Sequence, residues 1–416
     1  MLLALLLIAS LSQVQAAEPP TGSRESLDPW DPDDLAREEP LAPPPPSRLN
    51  VGTLVGENLI YWYQRRLSSQ SPDRCPFLIS CSNYALCAVR QHGFLWGTIN
   101  FIDRNMYREN PGMWRYYPAT ESAQRGLKLD DTFYLTASSE VPPLYIPPVD
   151  TQVRGDGFAE ALLREGDYYR AITEYKRRMF LYPQDSTYCL MQIARAYCRS
   201  AKYQSAVEYA SLALERPDLS AQQRSDANLT VGLCYMGLHL PILSWQYFNA
   251  AGTLDTVGVN ALCMGWLLAT EGKWKVAHAV FQQVARAHVG DTLGSSALKL
   301  STLASQGPYL PHKSPAIAVA LSTVLPGAGQ MYGGHGYDAL QAFLMTSSFA
   351  FASYGVYRYE REPGRHLRYT YLAVGITSLF HAANILSAQR TASYYNWRQR
   401  NDHLIRIQEL ILPHIF

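Results

Sequence analysis

The sequence is short of charge. Charged residues make up 17% of its 416 positions, against about a quarter in an ordinary soluble domain. The deficit is even-handed: 36 Lys and Arg face 35 Asp and Glu, a formal net charge of +1. That balance excludes a uniformly basic nucleic-acid binder and a uniformly acidic solvating chain, so nucleic acid is not an expected partner. Cysteine is scarce as well, and seven in a chain of this length are too few for a disulfide scaffold. No glycine-rich phosphate loop, no paired carboxylates in a recognisable frame and no doubled Cys-x-x-Cys occur. No cofactor, metal or catalytic residue is therefore expected, and the chain reads as non-enzymatic. Aromatic residues, in contrast, are plentiful: 28 Tyr and 8 Trp. Few charges and many aromatics point to a chain of which part meets a membrane.

The chain begins with the apolar run Leu-Leu-Ala-Leu-Leu-Leu-Ile-Ala over 2–9, followed by Val14-Gln15-Ala16. Small residues at those positions predict a secretory signal over 1–16, with no lipoprotein cysteine at the cut. An uncleaved anchor is the alternative, but the run is shorter than the ~20 residues that span a bilayer. Residues 17–49 hold eight acids, three arginines and the run Pro43-Pro44-Pro45-Pro46. They carry too little apolar surface to offset chain entropy and read as a disordered, partly polyproline tether.

Residues 50–117 read as a small helical domain. Leu54, Val55, Leu59, Ile60, Trp62, Tyr63 and Leu67 recur at three- and four-residue steps, the pattern of an amphipathic helix. Two further helical stretches follow near 82–90 and 95–106. Between Glu57 and Arg108 six arginines face three acids, a local charge of +3. Arg65, Arg66, Arg74 and Arg108 are the basic residues expected to touch an anionic lipid surface. The run Tyr63-Gln64-Arg65, then Cys75-Pro76-Phe77, Ser80-Cys81-Ser82-x-Tyr84, Arg90-x-His92-Gly93-x-x-x-Gly97 and Arg104 resembles the membrane protein insertion efficiency factor (YidD-like) family. The resemblance implies a small, basic, membrane-associated helical domain that assists the insertase of the inner membrane. Phe77, Ser82, Tyr84, Arg90, His92, Gly93, Gly97 and Arg104 are the positions that carry it. Three features depart from the family pattern: Ile79-Ser80 stands for Pro-Thr, no third cysteine lies near Arg108, and Asn110-Pro111-Gly112 replaces a Gly-Gly-Asp-Pro tail. For Cys75 and Cys81 three readings stay open. They are a disulfide or structural thiols, a metal site with His92 as third ligand, or a Cys81–His92 nucleophile pair.

Residues 118–150, with Pro142-Pro143 and Pro147-Pro148, read as a linker. Over 151–309 a frame recurs: Gly166-Asp167-Tyr168-x-x-Ala171-x-x-x-Tyr175, Ala201-x-Tyr203-x-x-Ala206, Gly232-x-x-Tyr235 with Ser244 and Phe248, and Gly272-x-Trp274-x-x-Ala277-x-x-x-Phe281. This resembles tetratricopeptide (TPR) repeats, which implies an α-solenoid with a concave groove for a protein or peptide partner. Cys189, Cys198, Cys234 and Cys263, with Trp245, Trp266 and Trp274, are expected in its core.

Residues 312–392 read as a membrane module. Both 339–357 and 369–388 are free of charge, long enough to cross hydrocarbon and ended by tyrosines, so they predict a transmembrane hairpin. Two buried helices of a soluble bundle are the alternative. Upstream, Leu325-Pro326-Gly327-x-Gly329-Gln330-x-Tyr332 is similar to a turn found in small membrane domains. It implies a short re-entrant or interfacial helix broken at Pro326. Arg358, Arg361, Arg365 and Arg368 place the hairpin loop in the cytoplasm and the bulk of the chain in the periplasm. Residues 393–416, with Leu404, Ile405, Ile407, Leu410 and Ile411, predict an amphipathic helix on the membrane surface. The expected whole is an all-α bacterial inner-membrane protein that contacts lipid and a protein partner and assists membrane protein insertion or assembly. A periplasmic envelope scaffold and a thiol enzyme using Cys81 are the rivals.

Overall fold

A computed structural model describes residues 51–66, 75–122, 126–136, 157–217, 219–251, 258–362 and 366–415. The expected signal and tether, Leu67, Arg74, both diproline pairs of the linker, Pro363-Gly364 and Arg365 lie outside the described residues. The fold is all-α, with one two-stranded antiparallel hairpin among the described residues.

Helix α1 (Val51–Arg66) leads to α2 (Cys81–His92), which starts where the Ser80 hydroxyl accepts the Asn83 N–H, an N-cap. Gly93, at φ 82°, ends α2 and opens α3 (Phe94–Ile102), and its left-handed backbone turns the chain within one residue. Gly97 then lies against the Val89 backbone, so the absent side chain lets the two helices cross closely. The last turns of α3 widen into a π-helical stretch, Asp103–Arg108, and the short α4 (Met113–Tyr116) follows.

The expected linker does not begin at 118. Strands β1 (Ala119–Ser122) and β2 (Gly126–Leu129) pair antiparallel with Ala119 opposite Leu129, and α5 (Phe133–Thr136) follows. The segment after Cys75 pairs with β2 as well: Leu78 N donates to Leu129 O and Leu129 N to Pro76 O. Phe77, Tyr117, Leu129 and Tyr134 form one buried aromatic core, so the small domain extends at least through the described residues to 136.

Four helix pairs come next: α6 (Phe158–Arg164) with α7 (Tyr168–Leu181), α8 (Ser186–Arg199) with α9 (Tyr203–Leu214), α10 (Ala221–Gly237) with α11 (Pro241–Ala251), and α12 (Val259–Thr270) with α13 (Trp274–Ala287). Helix α14 (Thr292–Gln306) closes the stack. Each pair turns at a left-handed residue: Gly166, Ala201, His239 and Gly272, with φ between 58° and 77°. The N–H one residue on bonds back five residues at every corner, from Asp167 to Leu162, Lys202 to Tyr197, Leu240 to Tyr235 and Lys273 to Leu268. This is the Schellman closure of a helix. Five residues past each corner comes a small buried side chain, Ala171, Ala206, Ser244 and Ala277. Gly232 and Gly265 sit against the rings of Phe248 and Phe281, where a β-carbon would clash. The four repeat cysteines and Trp266 are buried, whereas Trp245 is 49% exposed and is not a core residue.

Beyond the stack lie α15 (Pro315–Val324), α16 (Ala328–Gly333), α17 (Gly336–Glu360) and α18 (Arg368–Ile415). Helices α17 and α18 run antiparallel: Glu360 meets Thr370, Ser353 meets Thr377 and Phe349 meets Phe380. Among the described residues α18 is the one helix long and apolar enough to cross a membrane by length and composition. Its expected companion α17 falls short by that measure, because Gln341, Thr346, Ser347, Ser348 and Ser353 dilute its apolar run. The separate C-terminal surface helix does not form. Helix α18 continues unbroken to Ile415 and lays its last turns on α12 and α14. Leu404, Ile407, Ile411 and Leu412 are buried there, so the apolar stripe meets the helix stack and not a membrane surface. His403 Nε2 donates to Leu303 O (2.9 Å) and its ring meets that of Trp274 edge-on; Arg400 bonds Thr270 O.

Candidate functional site

Helix α1 is built inside out. Its buried residues are Thr53, Gly56 and Glu57, while Val51, Leu54, Val55, Leu59, Trp62 and Tyr63 face outward. Glu57 pairs with Arg90 (3.4 Å), whose guanidinium also donates to the Tyr61 hydroxyl (2.7 Å). Gln64 donates to Ser82 Oγ (3.2 Å) and Asn83 Oδ1 (2.9 Å), which fixes the helix on α2. Arg65 and Arg66 are exposed at its end. The same inversion recurs on α15, α17 and the first half of α18. There the buried faces are Ala318, Ser322, Ala339, Ala342, Thr346, Ala383 and Asn384. The outward faces include Val324, Leu344, Phe351, Tyr371 and Leu372. A water-soluble helix turns its apolar stripe inward. Small residues inside with large apolar ones outside is the packing of helices surrounded by lipid.

Three of the family-motif residues, Phe77, Tyr84 and Arg104, meet in one buried cluster. The Arg104 guanidinium lies 4.3 Å from the ring centres of both Phe77 and Tyr84. It donates twice to Asp131 (2.9 Å each) and once to Ile79 O (2.6 Å). Arg108 bonds Asp103 (3.1 Å), Asp131 (2.8 Å) and the Tyr84 hydroxyl (3.2 Å), and lies over Tyr134. Arg390 of α18 approaches Asp103 at 3.8 Å. All five charged groups are buried. Arg108 is thus no lipid-surface residue: it is a core cation neutralised by two carboxylates. Burial opposes its charge, but Asp103, Tyr84 and Asp131 outweigh that and raise its pKa above the ordinary arginine value. Asp131 and Arg390 were not among the expected site residues. The signal for Asp131 was the acidic pair Asp130-Asp131 in a stretch otherwise read as linker.

Next to this network the domain locks onto α17 and α18. Tyr107 OH donates to Phe380 O (2.7 Å), and Asn110 Nδ2 to Asp338 Oδ1 (2.6 Å). His335 Nδ1 meets the other Asp338 oxygen at 2.9 Å, with its ring stacked on Tyr116 at 4.2 Å. Ile99 and Ile102 pack with Ala342 and Ala383. The turn motif is a polar knot on the same body. Gly327, at φ 87°, donates to Asn384 Oδ1. Gln330 donates to Asn384 O (2.9 Å) and accepts from Ser322 Oγ (3.0 Å), and Ser314 N donates to Tyr332 OH. Gly329 N donates to Ser322 Oγ, whereas Leu325 points outward.

Cys75 and Cys81 are free thiols with their sulfurs 3.3 Å apart. His92 ends the helix that Cys81 starts, roughly 16 Å away at 1.5 Å per residue. The three-ligand metal set and the Cys81–His92 pair therefore do not assemble. No group of three His, Cys, Asp or Glu that could hold a metal occurs among the described residues. In the repeat stack, α8, α10, α12 and α14 form the inner layer. The end of α18 occupies part of that face and leaves a cavity of about 290 Å³ lined by Arg195, Asp226, Asn260 and His414.

The family described as "Putative membrane protein insertion efficiency factor" matches residues 54–111. A Thermotoga maritima protein of that description is 43% identical over 53 residues, 13% of this chain and 64% of the relative, so the chain spans less than two thirds of its length. A Thermus thermophilus protein of the same description is 41% identical over 56 residues, 13% of this chain and 68% of the relative. No solved structure matches the chain. Through residues 54–111, the chain belongs to the membrane protein insertion efficiency factor family.

Proposed function

We propose that this protein is a non-catalytic, membrane-embedded factor that assists the insertion or assembly of membrane proteins. The observation that carries the reading is the inversion of α1, α15, α17 and the first half of α18, found in and beside the segment that matches the insertion factor family. A lipid surround satisfies those outward faces, and the turn-ward 21 residues of α17 after Ala339 rise ~32 Å, close to the ~30 Å of bilayer hydrocarbon. The exposed Arg65 and Arg66 of α1 meet lipid headgroups. Arg358, Arg361 and Arg368 cluster at the hairpin turn, far from the repeats along the sequence. The positive-inside preference then puts the turn in the cytoplasm and the repeats in the periplasm of the inner membrane. The TPR-like stack binds a protein partner on the part of its inner face that α18 leaves open.

Deleting residues 51–136 and comparing the inner-membrane proteome with that of the intact strain tests the role. Depletion of a subset of multi-span proteins is the expected result; unchanged levels of every inner-membrane protein would remove the insertion reading. A reporter fused near Glu121 tests the topology: activity restricted to the periplasm is expected, and activity in the cytoplasm reverses the orientation.

A further inference from the structure

The buried ion network does not use the thiols beside it. Cys75 precedes the segment that pairs with β2, and Cys81 is the first residue of α2. Their sulfurs lie 3.3 Å apart, beyond the ~2.05 Å of a disulfide but within a side-chain rotation of it. Cys81 Sγ donates to Glu109 Oε2 at 3.7 Å. The Arg104 charge faces both sulfurs, and Lys128 Nζ bonds the Cys75 carbonyl (2.8 Å). Both cysteines are half-buried.

We propose that Cys75 and Cys81 form a redox-active dithiol that exchanges with a low-molecular-weight disulfide, with Cys75 attacking, Cys81 resolving and Glu109 taking the Cys81 proton. The two thiols are unlike, as exchange requires. Accepting the Cys81 S–H, helped by the Phe77 and Cys81 backbone N–H groups and by Arg104, holds the Cys75 thiol down against its burial. Donating that proton, together with burial, pushes the Cys81 thiol up. The backbone N–H groups and Arg104 favour the thiolate, the form that attacks, at Cys75, while Glu109 keeps the proton on Cys81. The Cys75 thiolate attacks one sulfur of the external disulfide, forms a mixed disulfide and expels the first thiolate, which takes a proton from water. Cys81 passes its proton to Glu109, attacks Cys75 Sγ and expels the second thiolate. Two protein thiols lose two electrons and the external disulfide gains them as two free thiols. The ring closes the 75–81 loop that carries Phe77 and the Ile79 carbonyl, both contacts of Arg104. The remaining half-buried thiol, Cys87, is pushed up by burial and is not suited to attack.

Titration of the purified full chain with oxidised and reduced glutathione, followed by alkylation and peptide mass mapping, tests this. The intact chain should close one reversible Cys75–Cys81 bond, and its Cys75 alkylation rate should show a midpoint below the ordinary thiol value of ~8.5. In Cys81→Ser the ring is lost, a Cys75–glutathione adduct accumulates, and the midpoint moves toward the ordinary thiol value of ~8.5. In Glu109→Gln the Cys75 midpoint stays and the adduct persists longer before ring closure. Cys75→Ser forms neither adduct nor ring, and Cys87→Ser behaves as the intact chain. Absence of the Cys75–Cys81 bond at every glutathione ratio, adduct formation at Cys87 instead, or an unmoved midpoint in Cys81→Ser overturns the proposal.

Discussion

Asp131 is the residue on which the small domain turns. It accepts hydrogen bonds from two fully buried arginines, Arg104 and Arg108, that arrive from the π-helical end of α3. Removing one member of a buried ion group leaves the rest charged and unpaired, a loss of roughly 3–5 kcal/mol. Asp131→Ala should therefore lower the denaturation midpoint of the chain by that measure, while a change at the exposed Arg65 should leave it within ~0.5 kcal/mol. The repeat corners offer a test of opposite sign. Ala201 holds φ at 61° without being glycine, and an L-residue there pays about 1–2 kcal/mol in sterics. Ala201→Gly should stabilise the stack by ~0.5–1 kcal/mol after glycine's entropic cost. Gly166→Ala should destabilise it by ~1 kcal/mol for conformation alone, since its added β-carbon meets nothing within 4 Å. Thermal unfolding reads both. Motif spacing made Phe77, Tyr84 and Arg104 legible in the sequence as a set, and left Asp131 outside that set. Spacing reports what lies along one segment, and Asp131 reaches Arg104 only through a hairpin closure 27 residues later.

Helix α18 shows what periodicity conveys and what it omits. The stripe Leu404, Ile407, Ile411 and Leu412 announces that one face is covered, and a membrane surface and a protein groove satisfy it equally. The choice is made by contacts that no local pattern carries: the ring of Trp274 against His403, and His414 on Ser296 Oγ at 2.9 Å. The β-hairpin was hidden for a different reason. Ala119-Thr120-Glu121-Ser122 has no apolar alternation, and its partner β2 also bonds the segment 76–78, which is distant in sequence. By contrast three corners, Gly166, Ala201 and Gly272, stand in the readable frame with Ala171, Ala206 and Ala277 five positions on, whereas the corner at His239 does not, because that unit's frame falls on Gly232 inside its first helix. Because α18 covers the inner faces of α12 and α14, a chain ending at Gln399 should lose amide protection there in hydrogen exchange. Protection in α6 and α7, which α18 does not cover, should be unchanged. Equal protection throughout would mean that the helix end contributes nothing to the stack.

At the scale of the whole molecule the chain holds two opposite packing rules. In the repeat stack the core itself is built of large side chains: Trp266, Phe248 and Phe281 are buried. Across α15, α17 and the first half of α18 the large side chains are outside and alanine, serine and asparagine are within. The low charge content belongs chiefly to the second kind of surface, which is why composition alone could suggest a membrane but not place it. Phe351 separates the two surroundings of that surface. It is 79% exposed on α17 and nine residues from Glu360, roughly 14 Å along the helix, hence near the middle of a ~30 Å hydrocarbon layer entered at the hairpin turn. In water Phe351→Lys changes a solvated position and shifts stability by no more than ~0.5 kcal/mol. In lipid the same substitution places a charge near the bilayer centre, at a cost of about 2.5–3.5 kcal/mol on insertion scales. The proposed membrane hairpin therefore predicts that Phe351→Lys reduces the amount of chain retained in alkali-washed membranes, while lysine at the equally outward Phe180 of α7 leaves retention unchanged. Equal retention of both variants would return α17 and α18 to an aqueous setting and remove the structural basis of the insertion role.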